Sequence, residues 1–201
     1  MIASAEQTFQ LPPTVRAYLT DPAIRVGVDA LLGVRSERLP PDLRFSELSD
    51  YYAAQAAAEL TRYDWAAALH RLWSLTWEAA LAPMWKSVSI EEAAAYDISV
   101  SPMACWTDGS FSFYHRHGIH KLFTSVFFDT DETHIAFSLE TEDEVLMEED
   151  CCGFVWRSDD DWNGWLVMTV PASPVSQDFP LAELALSAAA AVALANERIQ
   201  A

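Results

Sequence analysis

The sequence predicts an α+β fold in which N-terminal helices, about six antiparallel strands and a C-terminal helix form a single domain over residues 1–201. Apolar residues recur at helical spacing over about 12–97, alternate with polar residues over about 98–171, and return to an Ala-rich helical pattern over about 180–200. This order favours helices that cover one face of a sheet built from hairpins or a meander. We therefore expect the C-terminal helix to pack on the sheet.

Two long helical segments account for most of the first part. Pro22 occupies the position of a first helical residue, with Thr20 or Asp21 before it as the cap. Residues 39–41 break the pattern, and Asp64 is placed to cap a new helix after a further break at Tyr63. The second segment carries one apolar stripe, with a capping box at 89–92 beyond it. The stripe consists of Trp65, Leu69, Leu72, Trp73, Trp77, Leu81 and Trp85.

Three hairpins account for the strands. Asp108 and Gly109 lie between alternating segments, which favours a type I′ turn, and a third pair of strands is predicted around a tip at Asn163 and Gly164. The middle pair covers 122–128 and 134–139. A two-residue loop there places Phe128 opposite Ile135, so that apolar side chains face each other.

The net charge of −18 excludes two classes of partner. Proteins that bind nucleic acid by neutralising phosphates need a basic face, and anionic membranes also select basic surfaces. The most apolar stretch, 181–195, is shorter than the ~20 residues of a spanning helix. The N-terminus lacks the pattern of a secretory signal, and three cysteines, Cys105, Cys151 and Cys152, do not suggest a disulfide framework. We expect a cytoplasmic protein.

The acidic residues are concentrated in one part of the chain. Residues 129–161 hold 13 acidic side chains and one basic side chain, Arg157. Three interpretations are open: a solvated loop, which is the usual role of a charge run, a docking surface for a basic protein, or a mimic of DNA phosphates. We refer to residues 140–150 as the acidic segment. Its candidate partner-binding residues are Glu140, Glu142, Asp143, Glu144, Glu148, Glu149 and Asp150.

A histidine cluster is the second candidate site. His115 and His117 point to the same side of a predicted strand, and Gly118 allows a turn that brings His120 back toward them. Three imidazoles and one carboxylate suit Zn²⁺ or another divalent metal. The alternative is that these histidines pair with nearby carboxylates or backbone carbonyls at the edge of the sheet.

The third candidate is a stretch that begins at Asp159 and resembles the opening of a calcium loop. Position twelve of that loop would be Val170, where a bidentate Glu is required. A hairpin tip explains the same residues with fewer assumptions.

These features lead to two hypotheses from different functional classes. The first is a non-enzymatic interaction or regulatory protein, without a cofactor, that binds a basic protein partner through the acidic segment. The alternative is a metal-dependent enzyme of hydrolytic type that uses His115, His117 and His120. The sequence assigns no catalytic residue and no oligomeric state.

Overall fold

The computed structural model describes residues 9–33, 42–87, 110–129, 134–141, 150–159, 162–171 and 180–200. Helices come first, an antiparallel sheet follows, and a helix closes the chain, which confirms the α+β prediction. The predicted hairpin tip at Asp108, the capping box at 89–92 and the break at 39–41 lie outside the described residues, wholly or in part.

Five α-helices and two short helical turns are present among the described residues. A 3₁₀ turn, Phe45–Glu47, precedes α3, and a π-helical turn, Ser74–Glu78, follows it. The helices are α1 (Pro13–Thr20), α2 (Pro22–Gly33), α3 (Leu48–Trp73), α4 (Ala79–Leu81) and α5 (Leu181–Gln200).

The start of α2 follows the prediction. The Asp21 carboxylate accepts hydrogen bonds from the backbone N–H groups of Ala23 (2.9 Å) and Ile24 (3.3 Å). Pro22 stands at the first helical position, where the missing N–H costs nothing. Local capping chemistry is sufficient to place this helix.

The predicted break at Tyr63 and Asp64 is wrong, because α3 runs through both residues. Asp64 does not cap a helix: its carboxylate accepts a hydrogen bond of 2.5 Å from the Thr14 hydroxyl on α1. A tertiary contact therefore uses the side chain that the sequence suggested for a cap.

The sheet has the strand order β1-β2-β3-β4-β6-β5 and is antiparallel throughout. Four long strands form the body of the sheet, and one short strand lies at each edge. The sequence predicted about six strands without distinguishing long from short ones. The long strands are β2 (Ser110–His117), β3 (His120–Asp129), β4 (His134–Thr141) and β6 (Trp162–Pro171), and the edge strands are β1 (Lys86–Ser87) and β5 (Val155–Asp159). Because β1 pairs with β2, the sheet begins before residue 98.

The register of the middle hairpin was predicted correctly. Phe128 pairs with Ile135 and Val126 pairs with Phe137. The tip of the last hairpin was not: Asp159 pairs with Trp162, so Asn163 and Gly164 lie within β6. A register shift lies between Arg157 and Asp159. Of the calcium-loop pattern, Asp159 lies in β5 and Asn163 and Gly164 lie in β6, whereas 160–161 lie outside the described residues.

The helices lie against one face of the sheet, which we call the helix-facing face. Trp65 packs edge-on against Phe128 (centroids 4.3 Å apart), and Trp77 lies 5.7 Å from Phe154. The predicted stripe from Trp65 to Trp85 is buried along its whole length. Alternate residues of the strands complete this core, among them Leu122, Val126, Ile135, Phe137, Leu139 and Leu166.

The C-terminal helix packs chiefly against other helices, although the sequence suggested packing on the sheet. Its buried face includes Ala188, Ala191 and Ala195, and it contacts the π-helical turn and α4. Small side chains allow the close approach of two helices. Asn196 accepts a hydrogen bond of 2.8 Å from the Trp85 indole. Within the described residues, no helix is both long enough and apolar enough to cross a membrane.

Candidate functional site

Two of the candidate partner-binding residues of the acidic segment lie within the described structure. Glu140 is half-buried near the end of β4, where it pairs with Phe123 of β3 and Trp165 of β6. Asp150 is exposed and immediately precedes a tight turn. The remaining candidates, Glu142, Asp143, Glu144, Glu148 and Glu149, lie outside the described residues.

The first end of the acidic segment is hydrogen-bonded to the sheet, and a closed turn follows its second end. At the first end, the hydroxyl of Thr141, which is buried, donates a hydrogen bond of 3.0 Å to the backbone carbonyl of Lys121. At the second end, Cys151 and Phe154 exchange two backbone hydrogen bonds of 2.9 and 2.8 Å. The acidic side chains from 142 to 150 are thus flanked in the sequence by residues with defined contacts.

The topology shows how the strands on either side of these side chains are related. Strands β4 and β5 are both antiparallel to β6, which lies between them, so β4 and β5 run parallel to each other. The residues between β4 and β5 connect these two parallel strands, and they include six acidic side chains, since Glu140 belongs to β4.

Glu140 lies on the face of the sheet that points away from the helices. Tyr114 and Phe123 share this face, with ring centroids 4.7 Å apart, and Ser125 and Ser138 contact each other through hydroxyls 2.5 Å apart. Tyr114 is buried although it lies outside the core cluster. This face thus combines a carboxylate with aromatic and hydroxyl side chains.

The three histidines lie on the helix-facing face. His117 pairs directly with His120 across the turn at Gly118 and Ile119, and His115 pairs with Leu122. Directly paired residues of antiparallel strands point to the same side of the sheet. The register thus places His120 opposite His117 on this face.

His115 is held inside an aromatic layer. Its ring is stacked parallel to Trp73 (centroids 5.8 Å apart) and packs on Phe113, and its Nε2 lies 3.4 Å from the Thr124 hydroxyl. That hydroxyl also accepts a hydrogen bond of 2.9 Å from the Trp73 indole. Nδ1 of His115 is buried without a partner among the described residues. Burial lowers the pKa of His115 from 6.5 to about 4, so the ring is neutral near pH 7.

His117 is partly exposed and contacts the end of the helical layer. Its Nδ1 lies 3.2 Å from the Met84 carbonyl oxygen, and its ring lies 6.0 Å from that of Trp85. Pairing with a backbone carbonyl was the alternative to metal binding at this position. Among the described residues, no group of three or more His, Cys, Asp or Glu side chains is arranged to hold a metal ion. A zinc site at His115, His117 and His120 stays a prediction.

Sequence reasoning did not identify the hydrogen-bonded chain from Trp73 through Thr124 to His115. Alternation in β2 placed His115 on the apolar face, but the helix and the strand that complete the chain are distant in sequence. Nor did it identify the tight turn at Cys151 and Cys152.

Comparison of the chain with models of protein families, with curated proteins and with solved structures finds no match.

Proposed function

We propose that this is a non-enzymatic interaction protein that binds a basic protein partner through the acidic segment. The observation that carries the proposal is the concentration of charge: residues 129–161 contain 13 acidic side chains and one basic side chain. Arg157 can balance the charge of one carboxylate, so this region keeps a net charge of −12. Repulsion among the remaining carboxylates opposes folding, and a basic partner would relieve it.

The anchoring of the acidic segment supports the same function. Thr141, at its first end, is hydrogen-bonded to Lys121 of β3, and a closed turn at Cys151 follows its last residue. Carboxylates that are already restricted lose less conformational entropy when the partner binds. A dense cluster of negative charge also raises the association rate with a positively charged surface. Aromatic neighbours such as Phe123, beside Glu140 in the register, would add apolar contact area.

The alternative function, a metal-dependent hydrolase at the histidines, has no such observation in its favour. Over the residues that the structure describes, no group of three or more His, Cys, Asp or Glu side chains is arranged to hold a metal ion, and His117 contacts the Met84 carbonyl. Elemental analysis of the purified protein tests this alternative: a stoichiometric transition metal that EDTA removes, with a fall in melting temperature, would establish it.

Affinity capture with two charge variants tests the proposed function. In the segment variant, the five residues Glu140, Glu142, Glu144, Glu148 and Glu149 are changed to Gln. In the scattered variant, five exposed acids elsewhere are neutralised as Asp42→Asn, Asp50→Asn, Glu78→Gln, Glu183→Gln and Glu197→Gln. Both variants have a net charge of −13 instead of −18.

The proposal predicts that the wild type and the scattered variant capture the same basic protein from an extract of the source cells, and that the segment variant does not. Capture should weaken as the salt concentration rises, because screening shortens the range of the interaction. Equal capture by all three proteins would show that the acidic segment is only a solvated connection. Circular dichroism and thermal melting confirm that both variants are folded.

A further inference from the structure

Two adjacent cysteines occupy the turn that ends the acidic segment. The Sγ atoms of Cys151 and Cys152 lie 3.1 Å apart, and neither residue forms a disulfide. Cys152 is exposed and Cys151 is half-buried. The pair is thus accessible to a small reagent from solution.

The backbone of this turn is unusual. Cys152 has φ of +54° and Gly153 has φ of +88°, the pattern of a type I′ turn. Within the described residues, Cys152 is the only non-glycine residue with positive φ. A side chain in the left-handed region is sterically costly, and such outliers persist where the surroundings enforce them.

The surroundings hold the turn on both sides. Cys151 and Phe154 close it with two backbone hydrogen bonds, of 2.9 and 2.8 Å. A Cβ atom added at Gly153 would come within 2.8 Å of the Met168 methyl and 3.7 Å of the Ser187 hydroxyl, so the turn is packed against β6 and α5. The two thiols are therefore kept side by side in a defined conformation.

We propose that Cys151 and Cys152 form a redox site in which a small-molecule disulfide, such as glutathione disulfide, oxidises the two thiols to an intramolecular disulfide. The thiolate of the exposed Cys152 attacks one sulfur of glutathione disulfide, which releases one glutathione thiolate and leaves a mixed disulfide. The Cys151 thiolate then attacks Sγ of Cys152, and the second glutathione thiolate leaves. Two electrons pass to glutathione disulfide, and the two thiol protons end on the two glutathiones.

The geometry favours the second step over accumulation of the mixed disulfide. An attacking thiol already beside the target sulfur has a very high effective concentration compared with glutathione in solution. Adjacent Cα atoms, about 3.8 Å apart across a trans peptide, are closer than the ~4.4–6.8 Å usual for disulfides. The strain of this ring offsets part of that advantage, and it makes the disulfide readily reduced once formed.

Mass spectrometry in a Cys105→Ser background tests this site. The Cys105→Ser protein is equilibrated with glutathione disulfide, quenched with acid and measured intact. The expected product has lost two hydrogen atoms, with the bond located between Cys151 and Cys152 after digestion, and exceeds the glutathione adduct by more than about tenfold. Dithiothreitol should restore the original mass.

The matched control is the Cys105→Ser/Cys151→Ser protein, which keeps only the exposed Cys152. Without a neighbouring thiol, it should retain one glutathione. The proposal is overturned if the Cys105→Ser protein accumulates glutathione adducts or disulfide-linked dimers to the same extent as this control, or if it keeps its two thiols. Circular dichroism before and after oxidation shows that the products come from the folded protein.

Discussion

His115 shows how one buried polar residue links stability to pH. Its ring is stacked on Trp73 and 2% exposed, and within the described part of the chain only Nε2 is near a hydrogen-bonding group. Protonation would place a charge and a second N–H donor in the aromatic layer, where water cannot solvate them. The folded state therefore favours the neutral ring.

The pKa of His115 leads to the first prediction. Because the folded pKa, about 4, lies below the ordinary value of 6.5, the unfolded chain binds the extra proton more readily between these two values. The stabilisation is complete above pH 6.5 and is lost as the pH falls toward 4. The free energy of unfolding should fall by up to about 1.4 kcal/mol per pH unit from this group. Urea unfolding at a series of pH values measures it.

The control is His115→Phe, which keeps an aromatic ring beside Trp73 but cannot be protonated. Carboxylates titrate in both proteins, so the informative quantity is the difference between their free energies of unfolding. That difference should shift in favour of the variant as the pH falls from 6.5 to 4. A difference that is constant over this range contradicts the account.

Two glycines give the second prediction, since both have open space around a new Cβ but differ in backbone conformation. Gly27 lies inside α2, and Gly118 forms the β2–β3 turn with φ of +63°. Gly27→Ala should stabilise the protein by about 0.5–1 kcal/mol, because alanine loses less entropy in a helix. Gly118→Ala should destabilise it by about 1–2 kcal/mol, because of its left-handed backbone. Chemical denaturation measures both, and shifts of the same sign would contradict this reasoning.

At the level of elements, Trp73 links the helical layer to the sheet. Its indole donates to the Thr124 hydroxyl of β3, whereas the indole N–H of Trp77, one helical turn later, is buried without a partner among the described residues. This difference provides a matched pair of variants, because both side chains are buried and the same atoms are removed.

Trp73→Phe should therefore destabilise the protein more than Trp77→Phe, by about 1 kcal/mol, the usual net value of a hydrogen bond. Both substitutions leave a smaller ring in the core, and each loses packing energy for that reason. Chemical denaturation of the two variants measures the difference. If Trp77→Phe is the more destabilising change, the hydrogen bond to Thr124 does not contribute as proposed.

Elements defined by local chemistry or by paired apolar residues were predictable from the sequence. Asp21 and Pro22 specify the start of α2, and alternation along β3 and β4 specifies the pairing of Phe128 with Ile135. Elements set by distant contacts were not. Asp64 resembles a cap but binds Thr14, and β1 exists only because Lys86 and Ser87 pair with β2.

The candidate sites follow the same distinction. Sequence reasoning placed His115, His117 and His120 on one face, because alternation and a turn at Gly118 are local properties. It did not identify the partners of His115, since Trp73 and Thr124 come from elements far apart in sequence. The thiol pair at Cys151 needed the backbone of its turn to be recognised.

For the whole molecule, the uneven charge predicts a salt dependence of stability. Closely spaced carboxylates repel within a Debye length of about 10 Å at 0.1 M salt, so added sodium chloride should raise the melting temperature. The segment variant should show a smaller rise than the scattered variant, although their net charges are equal. Equal rises would mean that the acidic segment contributes no more repulsion than other acids. Differential scanning calorimetry at several salt concentrations measures this.

The dissociation constant for the captured basic partner tests the central claim most directly. It is measured by calorimetry at about 0.15 M salt for the wild type, the segment variant and the scattered variant. We predict at least about tenfold weaker binding for the segment variant, equivalent to about 1.4 kcal/mol, and less than about threefold for the scattered variant. Equal dissociation constants for the two variants, or no measurable binding of the purified partner by the wild type, would contradict the proposed function.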